Sequence, residues 1–377
     1  MPRAKTPFVD FYSRHGIIPT RQDISNLRRH IERRKSLYRH LGLPAGFFKR
    51  ISILEFGPGS GHNALVTGLL RPDRYLLVDG NPPSLASTRE QLRRHCPKLN
   101  YQLKKASITG FQTKERFDLV LAEGLVPTQV NPSRFLRHIS QFVNSSGVLV
   151  FTTMDAISLL PELLRRWTAW QLTHKLSKLR DKVSLLVDFL DEDVKALPGM
   201  SRSAEDWVLD QMLHPWSGPL YSIPQAVGAL GSGWSLLGCS PRFLADWRWY
   251  KTIYGLEAGN NTFAIRSYYE QAHNLIDHRH IANALPEANN RRLEKLAHEI
   301  YMLTFRQEHT GRSTPAKQMA SKVAAISKLL EVPLPRSAAA LDDFVRACGN
   351  KDLLYADFGK FRILWGRGQQ YLSLMRR

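Results

Sequence analysis

The residues best placed to do chemistry gather between Glu55 and Asp79. The run Leu54-Glu55-Phe56-Gly57-Pro58-Gly59-Ser60-Gly61 sets three alternate glycines directly after an apolar stretch, and His62-Asn63-Ala64 opens a helical pattern behind them. Alternate glycines permit a tight turn and close approach of a ligand to the main chain. The helix start offers free N–H groups to a carboxylate or phosphate. Asp79 stands 18 residues after Gly61, at the end of Tyr75-Leu76-Leu77-Val78. An acid there can accept hydrogen bonds from both hydroxyls of a ribose. Taken alone, such a turn is compatible with NAD, with FAD, or with packing only.

The spacing narrows the choice. The turn reads E-x-G-x-G-x-G and lacks the two-residue gap before the last glycine of the dinucleotide fingerprint. Over about residues 49–155 the chain resembles the class I S-adenosylmethionine-dependent methyltransferases, whose first motif this turn is similar to. The resemblance implies S-adenosyl-L-methionine as cofactor. Carried over by position, it implies that Gly57, Gly59 and Gly61 line the methionine part, that Asp79 holds the ribose, and that Glu55 lies near the amino group. Where the family often has an acid after its third strand, this chain reads Lys105-Ala106-Ser107-Ile108, so Ser107 and Ile108 take the adenine end. Glu123, in Leu121-Ala122-Glu123-Gly124, falls beside the transferable methyl. In many relatives the N-terminal segment folds over the cofactor, which makes Tyr12 and His15 candidates to close the site; a surface aromatic staple is the alternative.

Methyl transfer from a sulfonium is an in-line displacement, so the protein contributes alignment and exclusion of water, and needs a base only for a protonated acceptor. The catalytic candidates are therefore Glu123, His15, Tyr12 and Asp206. Asn81-Pro82-Pro83 looks like the start of the signature of amino-group methyltransferases acting on nucleobases, but it follows the second strand instead of the fourth. No cysteine stands in a Pro-Cys or Thr-Cys pair, which leaves thiolate chemistry on a pyrimidine unsupported. Met200 to Trp207 and Phe243 to Tyr250 mix aromatic faces with fixed charge, as a sugar, a polar metabolite or a nucleotide would need. Each has a structural reading too: a helix cap at Ser201 or Ser203, and a strand pinned into the core.

These residues need a scaffold. Short apolar runs at Ile51–Phe56, Tyr75–Val78, Tyr101–Lys104, Phe117–Ala122 and Gly147–Thr152 alternate with helical patterns at Asn63–Leu70, Ser84–His95 and Pro132–Val143. That rhythm predicts an α/β fold, a Rossmann-like, parallel-dominated sheet covered on both faces. Around it the chain divides into a basic helical N-terminal segment (1–48), the cofactor-binding core (49–155), a mainly helical insert that binds the acceptor (156–233), returning strands of the core (234–265) and a C-terminal helical region (266–377).

Composition sets the outer bounds. The 377 residues are 43% hydrophobic, enough for a sizeable core. Cys96, Cys239 and Cys348 stand far apart without His at zinc-ligand spacing, so neither a disulfide framework nor a metal site is expected. No apolar run approaches a membrane span and no leader pattern opens the chain, which reads as cytoplasmic. The formal net charge is +20, and residues 1–50 hold twelve Lys or Arg against three acids. Such a field attracts phosphates, anionic headgroups or acidic substrates. Its densest part, Arg28, Arg29, Arg33, Arg34, Lys35 and Arg39, lies on a predicted helix that is either a solvated face or a phosphate-tracking surface. The leading expectation is a methyltransferase acting on a small or medium-sized polar acceptor, a saccharide or specialised metabolite, at O or N. The alternatives are an RNA methyltransferase and a non-catalytic cofactor-binding scaffold docked on a partner or on an anionic membrane surface.

Overall fold

A 14-residue helix, α1 (Leu27–His40), leads into the sheet in the computed structural model, which describes residues 22–127, 129–197, 199–200, 202–214, 216–244, 246–255 and 261–377. The Asn26 side chain accepts the Arg29 N–H and caps α1. The chain then alternates: β1 (Ser52–Phe56), α2 (His62–Leu69), β2 (Arg74–Asp79), α3 (Pro82–His95), β3 (Tyr101–Lys105), β4 (Phe117–Ala122), α4 (Pro132–Ser140) and β5 (Val143–Thr153). These five strands are parallel, in the order β3-β2-β1-β4-β5. The first crossovers run one way from β1 and the next element begins beside β1 on its other edge. Ligands of open α/β sheets bind at such a reversal, outside the carboxyl ends of the strands.

Residue parity decides which side chains face which layer. Ile53, Leu77, Leu119, Leu121, Val148 and Val150 share a core with Tyr38 and Leu41 at the α1 end, Ala64 of α2 and Leu92 of α3. Glu55 shares parity with Ile53 and so projects to that same layer. On the other parity, Phe56 meets Phe111 and Phe142, with ring centroids 5.3–5.8 Å apart. Burial on both faces explains why β1 and β2 read as unbroken apolar runs.

Two compact units emerge. The first joins the described residues up to 153 with 217–267 and 369–377; the second joins 154–216 with 268–368. In the first unit, α9 (Ile223–Leu230) precedes β6 (Trp234–Ser240), and β7 (Gln370–Arg376) completes a seven-stranded sheet by lying antiparallel between β5 and β6. The second unit is helical. It contains α5 (Leu160–Thr173), α6 (Leu179–Phe189), α7 (Asp191–Lys195), α8 (Ala204–Trp207), α11 (Glu287–Thr310), α12 (Ala316–Leu330) and α13 (Pro335–Ala347); the helix Asn261–Gln271, α10, spans the two stretches. Two fully buried arginines organise α5. Arg165 pairs with Asp193 at 2.8 Å and donates to the Leu364 carbonyl, and Arg166 pairs with Glu308 at 2.7 Å. Buried guanidinium groups persist only when their donors are met this way.

Three expectations change. Among its described residues the stretch 234–265 supplies one strand, not several; the partner strand comes from the C-terminus, inside a region read as helical. The reason is local: Leu372 and Leu374 alternate over only seven residues, and the pairing partners Phe151 and Cys239 lie far away in sequence. Residues 268–368 pack with 154–216 as one unit instead of standing apart, and residues 217–233 return to the sheet unit. Finally, the aromatic segment after β6 is not a buried strand: Trp247 is 95% exposed and Tyr250 72%. Aromatic composition alone does not say which side of a surface a ring occupies.

Candidate functional site

The glycine turn leaves β1 with the backbone its sequence requires. Gly57, Gly59 and Gly61 all take positive φ, between 58° and 79°. A Cβ on Gly61 would sit 2.5 Å from the Thr88 Cα, so only glycine lets α2 begin this close to α3. The turn is pinned from α3, where Thr88 Oγ1 donates to the Gly59 carbonyl at 3.2 Å and Ser87 Oγ to that of Ser60 at 2.9 Å.

Asp79 closes β2 beside the turn. Its carboxylate accepts the Gly59 N–H at 3.4 Å and the Asn81 N–H at 2.8 Å, which ties the two strand ends together. Burial raises its pKa, against the pull of those backbone donors. The Ala106 N–H donates to the Asp79 carbonyl, so the Lys105-Ala106-Ser107-Ile108 stretch leaves β3 at the same rim. Ser107 is exposed there, bonded to Thr109 at 3.0 Å, and Ile108 is half-buried with its carbonyl held by His138.

Behind the turn lies a buried charge network. Glu55 is 7% exposed and accepts a hydrogen bond from the Tyr75 hydroxyl. Burial first, then the nearby Glu123 and Asp79 charges, push its carboxyl up to about 8, while Arg34 pulls the other way. Glu123, just past β4, is gripped by Arg34 through two hydrogen bonds of 2.6 and 2.9 Å. Arg34 also donates to the Tyr38 hydroxyl, and its Nε is buried without a partner. Burial alone would lower the Arg34 pKa; the Glu123 charge overrides it and raises it further.

Arg34 belongs by sequence to a basic run expected on a solvated or phosphate-tracking face, yet it faces inward. His30, Arg34 and Tyr38 are buried at successive four-residue intervals along α1. His30 Nε2 donates to the His62 carbonyl at 2.9 Å, and Tyr38 bonds Thr67 at 2.7 Å, so α1 docks onto α2 directly behind the glycine turn. The i, i+4, i+8 row was the available signal; the surrounding cations hid it.

The site thus brings together Glu55, Gly57, Gly59, Gly61, Asp79, Ser107, Ile108 and Glu123, and adds Arg34 and Asn81. Asp206 lies in the other unit, in the first turn of α8, where its N–H donates to Ser203 Oγ at 3.1 Å in a helix cap. Tyr12 and His15 lie outside the described residues.

Does this cradle fit an adenosine-bearing cofactor with an amino-acid tail? The left-handed glycines bring main chain without Cβ atoms beside a carboxylate suited to a ribose, while their own N–H groups are bonded to Val78, Asp79 and Pro58. Asn81, 4% exposed, keeps its side-chain Oδ1 buried without a partner next to Asp79. Glu55, held protonated by burial, and Glu123, paired with Arg34, place polar carboxyl groups behind the turn, where an amino-acid tail would lie. The donor set fits.

Comparison with known proteins gives the following. Residues 27–191 match a family model described as a methyltransferase domain. Among solved structures, PKMT2 from Rickettsia typhi is similar with a TM-score of 0.42 at 15% identity, covering 63% of this chain and 50% of that one. The same protein in complex with AdoHcy scores 0.39 at 15% identity, covering 63% and 49%. The CcbJ methyltransferase from Streptomyces caelestis scores 0.28 at 18% identity, over 33% of this chain and 50% of that one. The chain spans about half the length of these proteins. No curated protein matches it.

Proposed function

We propose that the chain, whose residues 27–191 match a family model described as a methyltransferase domain, is a class I, Rossmann-like S-adenosylmethionine-dependent enzyme that transfers a methyl group to a small or medium-sized polar acceptor, a saccharide or specialised metabolite, at oxygen or nitrogen. The observation that carries the donor half is the left-handed glycine turn locked to Asp79 at the reversal of strand order. When bound, S-adenosylmethionine supplies an electrophilic methyl that leaves sulfur as the acceptor lone pair attacks it.

The residues have distinct tasks in this reading. The main chain of Gly57, Gly59 and Gly61 lies against the methionine part, Asp79 takes the ribose hydroxyls, and Ser107 and Ile108 border the adenine. Glu55 faces the amino group. Glu123 borders the reacting methyl, and because both its oxygens are engaged by Arg34, the carboxylate is fixed in direction. For Glu123 to take a proton from the acceptor, that pair must open. Tyr12, His15 and Asp206 are the further acceptor-side candidates. Support for a dedicated acceptor comes from the size of the second unit, 154–216 with 268–368, which the donor fold does not need.

A second acceptor class, RNA, is favoured by one observation: the outer face of α1 keeps Arg29, Arg33, Lys35 and Arg39 exposed while Arg34 turns inward. Incubation of the protein with methyl-labelled cofactor and separate small-molecule and RNA fractions distinguishes the two. Label in the small-molecule fraction, reduced by Glu123→Gln, is expected. Unchanged turnover after substitution of Tyr12, His15, Glu123 and Asp206 in turn would remove this acceptor-side assignment.

A further inference from the structure

The aromatic segment after β6 forms a surface that the donor site does not use. Between Pro241 and Gly255, Trp247 is 95% exposed, Trp249 63%, Tyr250 72% and Tyr254 76%. Each such ring carries on the order of 150–250 Å² that folding ordinarily buries. Four of them within eight residues concentrate exposed aromatic surface of the kind that marks an interaction site. The loop's base is fastened: the Asn261 side chain bonds the main chain at both Leu236 and Trp234, and the Arg248 guanidinium lies 4.7 Å from the Phe263 ring centre.

Charge completes the pattern. The one acid in the loop, Asp246, is paired with Arg248 at 2.5 Å, which leaves Arg242 and Lys251 exposed, with the Lys251 ammonium 5.2 Å from the Trp249 ring. The loop starts where α1 ends. A Cβ on Gly238 would lie 2.6 Å from the His40 carbonyl oxygen, so glycine there allows the two main chains to touch, and His40 reaches Ser240 at 3.4 Å. From that junction the exposed Arg39, Lys35, Arg33 and Arg29 run back along a helix about 21 Å long, at 1.5 Å per residue.

We propose that residues 246–255 and the outer face of α1 form a docking platform for single-stranded nucleic acid. Bases stack on Trp247, Trp249, Tyr250 and Tyr254, and phosphates follow the α1 cations. A linear polyanion with ionic and flat faces suits a surface that offers both cations and exposed rings. A lipid interface suits it less, because the aliphatic residues Leu244 and Ile253 are half-buried and the exposed apolar surface is aromatic. The platform rests on the RNA reading for its class of partner, but binding and methylation are separate measurements.

The test uses the full chain and fluorescence anisotropy with a labelled oligouridylate over a salt series, with S-adenosylmethionine binding and circular dichroism as folding controls. The parent should bind with an affinity that falls as salt rises. Trp247→Ala with Trp249→Ala should weaken binding at least about tenfold with the salt slope unchanged, since base stacking is lost and phosphate contacts are kept. Arg33→Gln, Lys35→Gln and Arg39→Gln together should make the slope shallower by about two, at roughly 0.7 per phosphate. All variants should still bind the cofactor. No binding of the strand, equal competition by a duplex of the same sequence length, indifference to the tryptophan pair, or binding to phosphatidylserine vesicles in place of the strand would each overturn the platform. Cofactor binding in the same samples is unaffected by such a failure, so the methyltransferase reading stands or falls separately.

Discussion

Arg34 is where the structure makes its sharpest energetic claim. Replacing Arg34 by Met keeps the helix former and most of the stem volume but removes the guanidinium that holds Glu123. The pair is nearly dry: the Arg34 side chain is 8% exposed and that of Glu123 17%. Taking one partner from a buried pair costs about 3–5 kcal/mol, because the other charge stays behind unpaired. Above about pH 8, where Glu55 ionises, the loss is compounded by the Glu55 charge close to Glu123. At about 2–4 °C per kcal/mol for a unit of roughly 150–250 residues, Arg34→Met should melt roughly 6–20 °C below the parent. Glu123→Gln should cost a comparable amount by stranding Arg34. The double variant Arg34→Met, Glu123→Gln should be more stable than the sum of the two losses allows, with a coupling above about 2 kcal/mol in urea unfolding. Additivity within about 0.5 kcal/mol would show that the pair is not a unit and refute the reasoning.

Three further outcomes follow from the same geometry. Gly61→Ala forces a methyl into the Thr88 backbone 2.5 Å away and an unfavourable φ of +79°, so it should abolish cofactor binding and lower the melting temperature, whereas Gly228→Ala, with nothing within 4 Å, should do neither. Glu55 is protonated further up the pH scale in the folded protein than in the unfolded chain, so its contribution to stability is present below about 4.5 and lost as pH rises through about 8. Urea midpoints of Glu55→Gln should therefore gain on the parent steadily across that window, and parallel curves would contradict the burial argument. Ser203→Ala should cost about 1 kcal/mol through loss of the α8 cap, while Asp206→Asn should leave stability within about 0.5 kcal/mol and any effect should appear in turnover alone.

How much of this was legible in the sequence varies with the range of the interaction. The glycine turn, Asp79 and the alternation of β1 to β5 with their helices are local patterns, and the turn's three positive φ values are what alternate glycines after a strand are for. Strand β7 was hidden because its order comes from pairing with Phe151 and Cys239, far away along the chain, while its own seven residues carry little signal. Arg34 was hidden by its neighbours: the same charge that places Arg33 and Lys35 in water says nothing of an inward row at four-residue spacing. Trp247 and Trp249 illustrate the converse, since large rings promise burial and the structure leaves them in solvent. What the sequence could not supply was in each case a tertiary partner.

The central claim, that the glycine turn and Asp79 hold S-adenosylmethionine, is tested most directly by equilibrium binding of the labelled cofactor to the intact chain and to Asp79→Ala. Asp79 offers a buried carboxylate for two ribose hydroxyls, at about 1.5–3 kcal/mol for each charge-assisted bond. The account predicts saturable binding by the parent and a loss of at least ~100-fold in the variant, with its circular dichroism unchanged. A folded parent that binds no cofactor, or an Asp79→Ala variant that binds it as tightly as the parent, would contradict the account.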